Sequence, residues 1–203
     1  AVGAAHAQKL QNRDAMTVCF FGDGAINRGP FLEALNWAQV YGLPVLFVCE
    51  DNRWSATTAS GPVTAGEGAS ARARSLGLPS VQVDGNDVLA VHETAARLVK
   101  EVRTSQQPRL LHAITYRVKG HVSVDAAAYR DARELEAALQ TDPMARARAR
   151  YQAQGGDLAV LDAIDAQAAR EVAQALAAAD AAPWPAAESA YTDIQTTGAG
   201  QWR

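Results

Sequence analysis

Two apolar runs with a helical segment between them organise the first quarter of the chain. Residues 16–21 and 45–49 are almost entirely apolar, which is typical of strands buried on both faces of a parallel sheet. Residues 29–41 predict a helix of about 20 Å, long enough to return beside the first strand. Gly42 accepts the left-handed conformation that ends helices, and Pro44 cannot continue one. The pattern predicts a right-handed βαβ unit whose strands end at one edge of a sheet.

The following segments continue this alternation of strands and helices. Residues 81–83 predict a short strand, and Asp87 can cap the helix that follows. Residues 109–115 predict another strand, and the order strand, helix, strand indicates a parallel sheet. Regular periodicity is then absent from residues 116–133, and long irregular loops are usually functional or mobile. The predicted fold class is α/β, a parallel sheet with helices on both faces.

Beyond Asp142 the chain becomes rich in alanine and arginine. Residues 143–153 and 157–180 predict helices, which we expect on the flank of the domain. The remaining tail has no clear period. Its Tyr191 and Trp202 are expected to make packing or subunit contacts rather than catalytic ones.

A carboxylate and an amide follow the first two predicted strands. Asp23 lies between Gly22 and Gly24 directly after the first strand, and Asn52 follows the second. Ligand crevices of open α/β sheets lie at this edge. Magnesium takes oxygen ligands and usually shares them between one or two carboxylates and substrate phosphates. We therefore predict that Asp23 and Asn52 hold a divalent cation against a phosphate, with Asp23 as the only charged candidate at a strand end.

The residues around these positions resemble a known signature. Gly22-Asp23-Gly24, then 27 residues, then Asn52 is similar to the thiamine-diphosphate motif. The chain resembles the alpha subunit of the thiamine-diphosphate-dependent first component of 2-oxo acid dehydrogenase complexes, with acetoin dehydrogenase as a close relative. Further segments that follow the order of this family lie at residues 24–29, 31–36, 49–53, 83–87, 115–117, 120–121, 129–130 and 142–144.

The resemblance implies a thiamine-diphosphate-binding fold and assigns its site. Residues 1–140 would bind the diphosphate end of the cofactor, and residues 141–203 would form a helical C-terminal extension of the same domain. Magnesium would be held by Asp23, Asn52 and the backbone carbonyl of Trp54. His121, in the irregular loop, would be the catalytic histidine. The full set of implied cofactor contacts is Asp23, Gly24, Ala25, Asn52, Trp54 and His121.

The resemblance also implies an activity and partners. The expected reaction is oxidative decarboxylation of a 2-oxo acid, or cleavage of acetoin, with acyl transfer to lipoamide. In the family, a transketolase-like beta subunit supplies the carboxylate that activates the aminopyrimidine, so we expect an α2β2 assembly and an inactive isolated chain. A lipoyl acyltransferase would be the next partner.

The chain departs from the family pattern at two positions. Asp51 replaces an asparagine common in the motif. Val122 stands where animal pyruvate dehydrogenases carry a phosphorylated serine, which implies no kinase control there.

The helix predicted at residues 29–41 is a candidate for the beta-subunit interface. It is apolar around more of its circumference than packing on one sheet requires. Obligate interfaces bury about 2,000 Å² or more and are more hydrophobic than ordinary surface. The residues that give the helix this character are Phe31, Leu32, Leu35, Trp37 and Ala38.

Two other hypotheses deserve comparison. A nicotinamide site would require G-x-G-x-x-G, but the sixth position of the motif here is Asn27.

The opening residues 1–10 have the character of a helix interior, with neither an initiating Met nor an N-cap, so we expect an N-terminally truncated chain. Such a chain could be a non-catalytic assembly module that keeps the fold without binding cofactor. The intact Asp23 and Asn52 favour the catalytic alternative.

Composition limits the remaining classes. The 203 residues are 48% hydrophobic and 20% charged, which suffices for one sizeable core. A net charge of -3 without a basic run predicts no nucleic-acid partner, and no apolar stretch approaches the roughly 20 residues needed to span a bilayer. We expect a soluble, cytoplasmic protein.

The cysteines and the remaining histidines are expected to have no catalytic role. Cys19 and Cys49 are expected to be free thiols. His6, His92 and His112 are expected to be structural.

Overall fold

The computed structural model describes residues 1–191, so Trp202 and the contacts predicted for it lie outside the described residues. Six strands form in this part of the chain. They are β1 (Thr17–Gly22), β2 (Val45–Asp51), β3 (Trp54–Ser55), β4 (Thr58–Ala59), β5 (Ser80–Asp84) and β6 (Arg109–Ile114).

Four of these strands form a parallel sheet in the order β1-β2-β6-β5. Thr17 of β1 lies opposite Val45 of β2, and Gly22 lies opposite Glu50, so the two strands end together. This register confirms the βαβ unit predicted from the first two apolar runs. The two short strands β3 and β4 pair antiparallel as a separate hairpin, which the hydrophobic pattern did not predict.

Seven α-helices alternate with or follow the strands of the described chain. They are α1 (Val2–Leu10), α2 (Gly29–Tyr41), α3 (Gly68–Ser75), α4 (Val88–Ser105), α5 (Ala132–Leu139), α6 (Pro143–Ala153) and α7 (Leu158–Ala181). Short 3-10 helices occur at Asp23–Asn27, Gly61–Val63 and Ala187–Tyr191.

The predicted helix ends agree with the structure at two positions. Gly42 adopts the left-handed conformation after α2, with φ 54° and ψ 58°. Asp87 caps α4, because its Oδ1 accepts the N–H groups of Leu89 and Ala90 at 3.1 Å each. The segment between Ile114 and Ala132 contains no helix or strand, as the loss of periodicity predicted.

Helices cover both faces of the sheet. On one face, Leu35 of α2 packs in a cluster with Phe47 of β2, and residues of α1 and α3 join it. On the other face, Leu98 of α4 packs with Val48 of β2. Alternate residues of β2 therefore point into two cores, which explains its continuous apolar run. This arrangement confirms the predicted α/β class.

Contacts divide the chain into two compact units, the first comprising Ala1–Arg150 and the second beginning at Tyr151. The sheet and helices α1 to α5 belong to the first unit. Helix α7 belongs to the second unit, and α6 crosses the division. The proposed domain limit at residues 140 and 141 remains a prediction. No helix among residues 1–191 is long and apolar enough to cross a membrane.

Candidate functional site

The carboxyl edge of the sheet holds a polar cavity. Because Gly22 lies opposite Glu50, the next residues, Asp23 and Asp51, follow the pairing of two neighbouring strands. A cavity of about 460 Å³ opens at this edge. The charged and polar side chains that line it include Asp23, Asp51, Glu67, Gln82 and His112. The cavity therefore lies where ligands bind in open α/β sheets.

Asp23 has an unused acceptor inside this cavity. Its side chain is buried, with a residue exposure of 2%, and its Oδ2 atom has no hydrogen-bond partner in the described part of the chain. A buried carboxylate is costly unless it is paired, hydrogen-bonded or bound to a metal. Asp23 thus fits the predicted role of a ligand for a hard cation.

Asn52 forms a tight turn directly after β2. Its Oδ1 atom accepts the N–H of Trp54 at 3.0 Å, and Oδ1 of Asp51 accepts the N–H of Arg53 at 3.2 Å. Arg53, between them, has φ 69°, a left-handed conformation that residues with a Cβ seldom adopt. An amide oxygen has two lone pairs. Asn52 therefore keeps acceptor capacity for a cation.

Gly24 brings the Asp23 turn against the hairpin that begins at Trp54. A Cβ on Gly24 would lie 2.3 Å from Oγ of Ser55 and 2.8 Å from its Cβ. The carbonyl of Ala25 accepts the N–H of Arg28 at 3.1 Å and closes the 3-10 helix that carries Asp23. The structure thus brings the segments of Asp23, Gly24 and Trp54 together, although the described lining of the cavity includes neither Asn52 nor Trp54.

A second carboxylate lies in the same cavity, so the expectation that Asp23 is the only charged candidate at a strand end was wrong. Asp51 is the last residue of β2, is 7% exposed, and its Oδ2 lies 2.9 Å from Nε2 of His112. Burial by itself would raise the pKa of Asp51, but hydrogen bonds from His112 and from the Arg53 N–H hold that pKa below its ordinary value. The pair is therefore a buried ionised carboxylate with a histidine donor.

The sequence predicts a structural role for His112, because one histidine within an apolar run gives no sign of its partner. The register places it opposite Cys49, two residues before Asp51 on the neighbouring strand. Both side chains therefore share one face of the sheet. Two features of the sequence could have indicated this pair. His112 is a polar residue within the apolar run of β6, and Asp51 is a carboxylate directly before Asn52.

His121 lies in the irregular loop and lines a different cavity, of about 560 Å³, together with Lys119 and Arg130. Its Nδ1 atom lies 3.1 Å from Nη1 of Arg117. The Arg117 guanidinium also donates to the carbonyl of Ala56, at the turn of the β3–β4 hairpin. The loop that carries His121 is therefore fastened to the hairpin that follows Asn52.

Asp125 organises the backbone around His121. Its carboxylate accepts the N–H of His121, the N–H of Ala127 and the hydroxyl of Tyr129, each at 2.8 Å. These bonds, led by that from His121, lower the pKa of Asp125 to about 2. The loop is irregular in its dihedral angles but has specific internal hydrogen bonds.

Arg130 provides a second link between the loop and the hairpin. Its guanidinium lies 5.0 Å from the ring centroid of Trp54, and it also contacts the rings of Tyr116 and Tyr129. The indole N–H of Trp54 donates to Glu134 at 3.3 Å. Cation–π contacts of this kind contribute about 0.5–2 kcal/mol each. Trp54 is therefore held by side chains from the His121 loop and from α5.

The two cysteines are free thiols, as predicted. The main effect on the Cys49 thiol is burial, which raises its pKa far above the usual range. The negative charges of Asp51 and Asp23 raise the pKa further, so the thiol stays protonated. Residues 1–191 contain no group of three or more His, Cys, Asp and Glu side chains placed to hold a metal ion. A zinc-type cluster is thus absent from this part, whereas a site of one carboxylate, one amide and one carbonyl does not require such a group.

Comparisons with known proteins give a consistent result. The protein family described as "Dehydrogenase E1 component" matches residues 1–188 of the chain. The chain is 39% identical over 194 residues to the alpha subunit of acetoin:2,6-dichlorophenolindophenol oxidoreductase from Cupriavidus necator, covering 95% of this chain and 58% of that protein. It is 34% identical to the pyruvate dehydrogenase E1 component subunit alpha of Rhizobium meliloti, covering 95% and 56%.

A third relative is the 3-methyl-2-oxobutanoate dehydrogenase subunit alpha of Mycobacterium tuberculosis, which is 37% identical over 156 residues, or 76% of this chain and 42% of that protein. The chain therefore spans about half the length of these curated relatives. The match nevertheless includes the strands, the cavity and the His121 loop. On this evidence the chain belongs to the dehydrogenase E1 component family, and the relatives it matches are alpha subunits.

Proposed function

We propose that this chain acts as the alpha subunit of a thiamine-diphosphate-dependent 2-oxo acid or acetoin dehydrogenase. The observation that carries the proposal is the buried, unpartnered Oδ2 atom of Asp23 at the carboxyl edge of the sheet, next to the Asn52 turn. A family member with this feature has an acceptor ready for the cation of a magnesium diphosphate group. The names of the relatives support the class of reaction.

In this proposal the metal site uses three residues. Asp23 supplies the negative charge, Asn52 a neutral amide oxygen, and Trp54 its backbone carbonyl. Gly24 and Ala25 allow the backbone after Asp23 to approach the diphosphate, because neither carries a side chain larger than a methyl group. Thiamine diphosphate held at this site would supply a nucleophile for the keto carbon of the substrate and an acceptor for the electrons released on cleavage.

His121 has the proton-transfer role in the proposal. An imidazole titrates near neutrality and can both donate and accept a proton. Its ring is exposed, and the backbone beneath it is fixed by Asp125. Arg117, at 3.1 Å from Nδ1, limits the rotation of the ring. His121 would thus orient or protonate the substrate or the acyl group rather than hold the diphosphate.

We propose a transketolase-like beta subunit as the essential partner, in an α2β2 assembly, with a lipoyl acyltransferase next in the sequence of reactions. Helix α2 supports this. It buries Phe31, Leu35 and Ala38 against the core but leaves Leu32 and Trp37 43% and 47% exposed. An apolar face of this kind suits a permanent interface. The cytoplasm is the compartment in which we expect the assembly to work.

The proposal is tested by turnover of the chain co-expressed with its beta subunit. Pyruvate, branched-chain 2-oxo acids and acetoin would each be supplied with an artificial electron acceptor, with and without thiamine diphosphate and magnesium. We expect turnover of at least one substrate that requires both additions, and none with the isolated chain. Turnover without the cofactor, or none with any of the three substrate classes in a stable assembly, would contradict the proposal.

A further inference from the structure

His112 is a buried polar residue that the proposed reaction does not use. It lies inside β6, is 3% exposed, and has Nε2 at 2.9 Å from Oδ2 of Asp51. The carboxylate of Asp51 accepts a hydrogen bond from the ring at this distance, so Nε2 is the donor of the pair. The ring is bounded on another side by Gly68, where an added Cβ would lie 3.3 Å from Cε1 of His112. The position of the donor is therefore fixed.

The same carboxylate reaches the turn that follows β2. While Oδ2 of Asp51 bonds to His112, Oδ1 accepts the N–H of Arg53 at 3.2 Å. Arg53 has φ 69°, a conformation that disfavours any residue with a Cβ and persists only when its surroundings hold it. Asp51 thus ties the third strand of the sheet, β6, to a strained backbone position.

This strained position lies between the two expected metal ligands of the turn. Asn52 precedes Arg53, and Trp54 follows it, with the Trp54 N–H bonded to Oδ1 of Asn52 at 3.0 Å. A change in the dihedral angles of Arg53 would therefore alter the orientation of the Asn52 amide relative to the Trp54 backbone. Ligands of metals are commonly oriented by such outer partners, whose loss lowers metal affinity by about 10–100-fold.

We propose that His112 is a positioning residue which, through Asp51, holds Asn52 and the Trp54 carbonyl in the orientation that binds a magnesium diphosphate group. This inference rests on the proposed function, since it assigns the metal site to that turn. It gives a role to the pair formed by His112 and Asp51, beyond the packing expected from an apolar strand. His112 itself contacts neither the metal nor the cofactor.

Calorimetric titration of the co-expressed assembly with thiamine diphosphate in saturating magnesium tests the inference. His112→Met keeps a similar volume without a donor, and His112→Gln keeps an N–H near the place of Nε2. We expect His112→Met to weaken binding by about 10–100-fold and His112→Gln to restore most of it. The control is Leu111→Ala, a neighbouring β6 residue buried on the opposite face, which should reduce stability without changing the dissociation constant.

Asp51→Ala provides a second variant should His112→Met fail to fold. It should weaken binding at least as much as His112→Met, and the double variant should bind little worse than Asp51→Ala alone, because both changes break one chain of bonds. Wild-type affinity in Asp51→Ala or His112→Met, or additive losses in the double variant, would overturn the inference alone. Absence of binding by the wild-type assembly would overturn the proposed function and this inference with it.

Discussion

The two glycines that flank Asp23 differ in what surrounds them, and this difference makes a sharp prediction. A Cβ on Gly24 would be 2.3 Å from Oγ and 2.8 Å from Cβ of Ser55. Neither atom is the end of a long flexible side chain, so the hairpin must move. A Cβ on Gly22 would meet only the carbonyl oxygen of Glu50, at 3.9 Å, which is an ordinary contact.

Gly24→Ala should therefore lower the free energy of unfolding by about 1–3 kcal/mol, the usual range for overpacking. Gly22→Ala is the matched control. Gly22 has φ −89° and ψ 166°, which alanine adopts without strain, so this change should be neutral or should stabilise by up to about 1 kcal/mol. The motif would then require a glycine at its third position for packing and not at its first.

The cause can be isolated with Ser55→Gly. This change removes both clashing atoms and leaves the Cα of Ser55 at 3.7 Å from the new methyl group. Alone it should cost about 0.5–1 kcal/mol, since it places a glycine in a strand. Added to Gly24→Ala it should recover most of the lost stability.

The assay is urea unfolding of the co-expressed assembly, with all variants at one protein concentration because subunit association contributes to stability. Equal losses for Gly22→Ala and Gly24→Ala would refute this reasoning. So would a double variant that is less stable than Gly24→Ala alone.

Three further predictions follow from the His121 loop and α2. His121→Ala should lower kcat by about two to four orders of magnitude with little change in cofactor affinity, measured by steady-state kinetics and calorimetry; normal turnover would contradict the role. Since the folded pKa of Asp125 is lowered to about 2, its contribution to stability is present above the unfolded value of about 3.9 and is lost as pH falls through about 2. The stability difference between wild type and Asp125→Asn should shrink across that range, and a difference independent of pH would count against it. The chain should self-associate when expressed alone and form a stable heteromer with its beta subunit. Trp37→Lys should weaken this heteromer, as measured by sedimentation velocity. A chain that is monomeric alone and forms no complex with the beta subunit would contradict the interface.

The regular elements of the sheet were predictable because they bury apolar residues with a strict period. Helix α2 has the predicted bounds, and β2 extends only two residues beyond its apolar run, to Asp51. The hairpin β3–β4 was missed because each strand has two residues, too few for a period. Helix α3 was missed because it carries arginines and serine among alanines, and it is fixed by tertiary contacts such as that of Arg72 with the carbonyl of Ile26.

Only part of the site followed from the sequence. The positions of Asp23 and Asn52 followed from strand ends, which chain order determines in a βαβ unit. The pairing of Asp51 with His112 depends on the register between β2 and β6, and these strands are separated by 57 residues of intervening chain from Asn52 to Pro108. The sequence alone carries no measure of that register, so the second buried carboxylate was found only in the structure.

Calorimetric titration of the co-expressed assembly with thiamine diphosphate, in magnesium and again in EDTA, tests the central claim most directly. The account predicts saturable binding that requires magnesium, its loss in Asp23→Ala with the fold retained, and its persistence in Asp14→Ala, an exposed aspartate that precedes the opposite end of β1. Unchanged affinity in Asp23→Ala would contradict the metal site. A stable assembly that binds no cofactor would contradict the catalytic function and favour a non-catalytic assembly module.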